Sequence, residues 1–147
     1  MADTLRRILD EYDNMQYATQ QGSEMHRKMR AVHMENGVLV GDKSIVDNIN
    51  KHPELAMFFV PASRVEVPVA AIVHGNFISR RIDRMVVDED NKTIHVIDYK
   101  TDIDKGAFRL KYVAQVQEYV SIVKEIYPKY TVIGYILWLH DWTLEKL

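Results

Sequence analysis

Ile94-His95-Val96-Ile97-Asp98-Tyr99-Lys100-Thr101 is an apolar, β-branched run broken by two charges, and the rest of the architecture can be laid out from it. Side chains two apart on a strand share a face, so Asp98 and Lys100 stand side by side. Upstream, Phe77 to Val87 is a second strand-like run, interrupted at Asp83. The acidic loop Asp88-Glu89-Asp90-Asn91-Lys92 joins the two, so a hairpin can set Asp83 beside Asp98. Ser63 to Val73 is a third such run, tied to the second by His74-Gly75-Asn76, which gives an antiparallel meander. Downstream, Phe108 to Tyr127 carries Tyr112, Gln115, Val116, Tyr119, Val123 and Ile126 at helical spacing and stops at Pro128. Tyr130 to Leu139 is almost wholly apolar, as a strand buried on both faces should be. Asp141-Trp142 turns into a short last strand. The long helix is then a crossover that returns this strand to the same sheet.

The N-terminal third reads as helices over residues 3–58. Leu5, Ile8, Leu9, Tyr12 and Met15 recur at helical spacing in residues 3–20, and Gly22-Ser23 breaks the pattern. Ser23 caps a second helix from Glu24 to about Met34, ended by Glu35-Asn36-Gly37. Asp42 or Ser44 opens a third, with Ile45, Val46 and Ile49. Leu55 and Phe58-Phe59 follow the interruption at Pro53.

The 147 residues suit one domain with one sizeable core. Cysteine is absent, which excludes disulfides, zinc–cysteine sites and cysteine-held iron–sulfur clusters and suits a cytoplasmic setting. Any metal must be held by oxygen and imidazole nitrogen. No apolar run reaches the ~18–20 residues of a membrane span, and no signal peptide is expected from Met1 to Arg7. The net charge of −2 is unlike that of a domain that grips nucleic acid by itself.

Asp83, Asp98, Lys100 and Glu66 interrupt strands that otherwise disfavour charge, and burying such groups is costly unless they are paired or bound to metal. Asp98 and Lys100 taken alone also fit a strand-surface ion pair, and Asp83 could pair with Arg81 or Arg84. Asp83 followed about fifteen residues later by Asp98-Tyr99-Lys100 resembles the PD-(D/E)XK nuclease signature. Three further motifs extend the resemblance to RecB/AddA-type nuclease domains. Gly22-Ser23-Glu24-Met25-His26 is similar to their Gly-x-x-x-His helix. Arg81-Ile82-Asp83-Arg84-Met85 is similar to their Gly-x-Ile-Asp-x strand. Tyr112 to Tyr119 is similar to their Tyr-x-x-Gln-x-x-x-Tyr helix. One departure is Arg80, which stands where the family commonly has glycine and bears on how closely DNA approaches.

The resemblance implies an α/β, restriction-endonuclease-like αβββαβ core over about residues 22–147, with a mixed central sheet flanked by helices. It implies a Mg²⁺- or Mn²⁺-dependent DNA nuclease, exonuclease-like, without an iron–sulfur cluster, working with a helicase motor in double-strand-break repair. Alternatives are a catalytically silent DNA-binding or scaffolding module and a stand-alone phage- or restriction-type nuclease. His26, Asp83 and Asp98 would ligate the metal, with the Ile97 carbonyl as a backbone ligand. Lys100 would position water or stabilise the transition state, and Glu66 would complete the acidic cluster or orient a water, unless it is an edge-strand residue without chemistry. Gln115 and Tyr119 would buttress the site or contact the DNA backbone. Arg80, Arg81 and Arg84, with Lys105, Arg109 and Lys111, would rim it with positive charge or form a solvated mixed surface.

Overall fold

A computed structural model describes residues 3–9 and 20–147. Residues 3–9 are helical (α1), with Leu9 buried but Leu5 and Ile8 exposed. Tyr12 and Met15, the rest of the expected stripe, lie outside the described residues. The elements that follow are α2 (Gln20–Ala31), β1 (His33–Glu35), β2 (Val38–Val40), α3 (Lys43–Lys51) and a 3-10 helix (Pro53–Phe58). Then come β3 (Arg64–Val73), β4 (Asn76–Asp88), β5 (Thr93–Lys100), α4 (Lys105–Ile126), β6 (Thr131–Trp138) and β7 (Thr143–Lys146).

One five-stranded mixed sheet, ordered β3-β4-β5-β6-β7, forms the centre. β5 and β6 run parallel across the α4 crossover, and the other neighbours are antiparallel. The sheet is the α/β arrangement expected, with helices on both faces. Alternation along β5 and β6 sorts their side chains. Ile97, Tyr99, Tyr135 and Leu137 pack with Met29 and Val32, which follow from α2, and with Ile45, Ile49, Leu55 and Phe58. Ile94 and Val96 face Tyr119, Ile122 and Val123 of α4, while Ile136 and Trp138 face its Tyr112 and Val116. Asp104 caps α4 by accepting from the Ala107 N–H at 3.3 Å. Among the described residues no helix is long and apolar enough to cross a membrane.

Two local expectations are corrected. Gly22-Ser23 does not break the chain, since α2 runs through it. A glycine inside a helix costs about 1 kcal/mol, which the packing of Met25, Met29 and Val32 against the sheet outweighs. Asn36-Gly37 does not end a helix but turns a hairpin, with φ of 52° and 79°. Both residues take the left-handed conformation, as a type I′ turn requires, and Asn-Gly suits it best.

Gly134 sets the distance between α4 and the sheet. A Cβ there would lie 2.6 Å from Val116 Cγ1 and 2.9 Å from Val120 Cγ2. Valine methyls cannot swing clear easily. Gly134→Ala is therefore expected to lower stability by about 1–3 kcal/mol, and Val116→Ala in the same chain should restore part of it. Denaturant unfolding of the three variants checks this.

Candidate active site

The β4 strand changes phase at Asp83. Ile82 and Met85 both pack into the core beneath α4 although they are three apart, which strict alternation forbids. The ladders open at the same point. β3 pairs with β4 at Val65↔Arg84 and Val67↔Ile82, passing over Glu66 and Asp83. The backbone of Glu66 there enters the left-handed region, with φ of 51°, an unusual conformation for a residue with a side chain. On the other side the β4–β5 ladder begins at Arg84↔Ile97, so the same register would set Asp83 opposite Asp98.

Polar groups fill the opening. The Tyr99 N–H donates to Asp83 Oδ2 at 2.8 Å. The Tyr99 carbonyl meets His26 Nε2 at 3.1 Å, and that nitrogen lies 3.6 Å from Asp83 Oδ2. Asp98 stands near enough to Asp83 to act on its carboxyl. Lys100 Nζ lies 2.9 Å from Asp98 Oδ2 and 4.3 Å above the Tyr112 ring. The Tyr112 hydroxyl in turn donates to Asp102. His26, Asp83, Asp98 and Lys100 are all buried, and buried charges of this kind persist only as a mutually compensating set.

Burial pushes the Asp83 carboxyl up, but the His26 imidazole, the Tyr99 N–H and Asp98 together hold it below its ordinary value. A carboxylate whose folded pKa lies below its unfolded value, near 4, stabilises the fold above that pH. The contribution is lost as pH falls from about 4 through the lower folded value. Asp83→Asn should therefore flatten the acid limb of a plot of unfolding free energy against pH. An unchanged limb would mean that other carboxylates govern acid unfolding.

The structure thus brings together His26, Asp83, Asp98 and Lys100, four of the residues singled out from the sequence, and redistributes the others. Ile97 is corrected as a backbone ligand, because it sits in register with Arg84 and Tyr135 inside the intact ladders. The carbonyl aimed at the cluster is that of Tyr99, the residue between Asp98 and Lys100. Glu66 is not part of the acidic cluster, since its carboxylate meets Arg81 Nε at 2.7 Å and Arg30 Nη1 at 3.8 Å. Gln115 is buried and donates to the Tyr119 hydroxyl at 2.8 Å. Tyr119 packs in the core with Ile82 and Val96, which corrects its expected contact with DNA.

Arg84 is likewise corrected as part of a basic rim, being only 2% exposed. Its guanidinium donates to the carbonyls of Met29 and Val32 at 3.0 and 2.8 Å, to Ser63 Oγ at 2.8 Å and to the Tyr99 hydroxyl at 2.7 Å. The Phe59 ring lies 4.4 Å away on its face. Burial pushes the Tyr99 phenol up to about 12, so it stays neutral and accepts from Arg84. Arg80 pairs with Glu118 of α4 at 2.7 Å, Lys105 with Asp141 at 2.6 Å and Arg109 with Glu145 at 2.8 Å, so much of the expected rim is spent within the protein.

Among the described residues no group of three His, Asp or Glu side chains is arranged to hold a metal ion. The residue types that could hold a hard divalent cation are nevertheless present. Two carboxyls, one main-chain carbonyl and one imidazole meet at the ladder opening, and oxygen-rich sets of this kind suit Mg²⁺ or Mn²⁺.

No protein-family model and no curated protein matches this chain. Among solved structures, the crystal structure of SSO0001 is similar over 97% of this chain and 61% of that one, at 16% identity and a TM-score of 0.44. This chain therefore spans less than two thirds of that protein's length.

Proposed function

We propose that this chain is a metal-dependent nuclease that hydrolyses phosphodiester bonds in DNA, a member of the PD-(D/E)XK superfamily of RecB/AddA type. The observation that carries the proposal is the meeting of Asp83, Asp98, Lys100 and His26 where the sheet ladders open on both sides of Asp83. A purely structural ion pair needs no second carboxyl, no imidazole and no break in two ladders.

Asp83, Asp98, the Tyr99 carbonyl and His26 would hold Mg²⁺ or Mn²⁺. Bound there, such a cation acidifies a water and neutralises charge on the scissile phosphate. Lys100 supplies a fixed ammonium for the charge that develops on the phosphate oxygens, already oriented by Asp98 and the Tyr112 face. His26, carried on a helix rather than on the sheet, lies against the Tyr99 carbonyl and one Asp83 oxygen, and would give up that contact to ligate the cation. The negative net charge favours delivery of the DNA by another domain or partner, and the motif resemblance is what makes that a helicase motor in double-strand-break repair.

The test is incubation of the purified chain with linear single- and double-stranded DNA, with Mg²⁺, with Mn²⁺ and with EDTA. Cleavage should require the cation and vanish in Asp98→Asn. Failure to cleave either substrate with either cation, or full activity in Asp98→Asn, leaves a nuclease fold used for binding or scaffolding.

A further inference from the structure

Glu66 is where the candidate active site meets a second charged group. Its carboxylate lies between two guanidiniums, Arg81 Nε at 2.7 Å and Arg30 Nη1 at 3.8 Å. The glutamate side chain is 16% exposed, whereas Arg30 and Arg81 are 45% and 53% exposed, so the arginines shelter the acid and face water themselves. The trio carries one net positive charge. Its backbone is also unusual, since Glu66 reaches the arginines from a strand position with φ of 51°.

The placement ties this group to the site. Glu66 falls opposite Asp83 in the β3–β4 register, and Arg81 precedes Asp83 by two residues. Arg30 follows His26 by one helical turn on α2, so the helix face that brings the imidazole to Asp83 brings a guanidinium to Glu66. Guanidinium forks match the oxygens of a phosphodiester as well as those of a carboxylate.

We infer that Arg30 and Arg81 form a subsite for the DNA phosphate adjoining the scissile one, and that Glu66 holds the two arginines in register and cedes them to the incoming phosphate. This rests on the nuclease reading for the identity of the strand, but not for the existence of the anion site. Glu66 is then a built-in competitor. It lowers affinity for any phosphate that meets the two arginines alone. No bond is made or broken at this subsite, so its effect lies in binding and positioning.

Fluorescence anisotropy of a labelled oligodeoxynucleotide, in EDTA so that nothing is cleaved, tests it. Single-stranded and duplex probes are run as separate arms across a salt series. Arg81→Gln and Arg30→Gln should each weaken binding by about five- to tenfold, and each should lower the slope of log affinity against log salt by roughly one unit or less. Glu66→Gln should tighten binding by a few fold, because it removes the competing anion and keeps the shape. The opposing directions matter, since a merely structural trio would weaken alike in all three variants. Arginine variants that bind like the parent, or Glu66→Gln that binds more weakly, overturn the subsite. Cation-dependent cleavage of the same DNA is measured separately. Cleavage that is indifferent to both arginines sinks the subsite and spares the nuclease reading. Arginine-dependent binding without cleavage in any cation does the reverse.

Discussion

Lys100→Met is expected to lower cation-dependent DNA cleavage by about 10²–10³-fold, the loss typical of removing one preorganised group that stabilises transition-state charge. It should at the same time tighten binding of Mn²⁺. The second effect follows from geometry. The ammonium sits 2.9 Å from Asp98 Oδ2 and so competes with any cation for that oxygen. Without it, a cation that approaches the Asp98 carboxylate no longer meets that ammonium. Methionine keeps the long aliphatic stem over the Tyr112 ring, so the packing loss is small. Titration calorimetry with Mn²⁺ separates the cases. Tighter metal binding with lost cleavage places Lys100 in the chemistry. Loss of both means that it merely holds the cluster together.

Arg84→Met should destabilise the protein by about 3–5 kcal/mol, since it leaves several buried acceptors without their donor at about 1–3 kcal/mol each. Four acceptors depend on this one guanidinium: the Met29 and Val32 carbonyls, Ser63 Oγ and the Tyr99 hydroxyl. Buried polar groups left without a donor each carry a cost of their own. For a domain of this size the loss corresponds to a fall in melting temperature of roughly 10 °C or more. Arg84→Lys keeps the charge but not the fork, and should recover only a minor part. Guanidinium unfolding curves decide the matter. A change below about 1 kcal/mol for methionine would mean that water replaces the guanidinium, and that the end of α2 is fastened by its apolar packing alone.

The contrast between Lys100 and Arg84 shows what could be read from the sequence. Asp83, Asp98 and Lys100 were visible because each is a charge inside an apolar β-run, and a two-residue spacing on a strand has only one geometric meaning. The meander, the α4 crossover and the buried β6 were legible for the same reason, since their periodicities are long and uninterrupted. Arg84 looked like a surface base because its neighbours Arg80 and Arg81 are basic. Its real partners are main-chain carbonyls at the end of α2, more than fifty residues earlier, and main-chain groups leave no mark in a sequence. Tyr99 was read only as the middle of a motif. Its peptide group became important because β4 slips phase at Asp83, a local irregularity that alternation counts do not foresee. Glu66 was drawn to the acidic cluster by its position, yet its carboxylate is engaged by Arg30 and Arg81.

The Tyr99 amide, whose hydrogen goes to a carboxylate oxygen instead of a neighbouring strand, makes the protein its own indicator. In a nitrogen–proton correlation spectrum that single resonance should stand downfield of its strand neighbours and move when Asp83 gains a proton. It should move again, in a saturable way, as Mg²⁺ is titrated in. A signal of this kind would report occupancy of the cluster directly, with no substrate in the tube, and would let the affinity for a cation be followed in variants that no longer turn over.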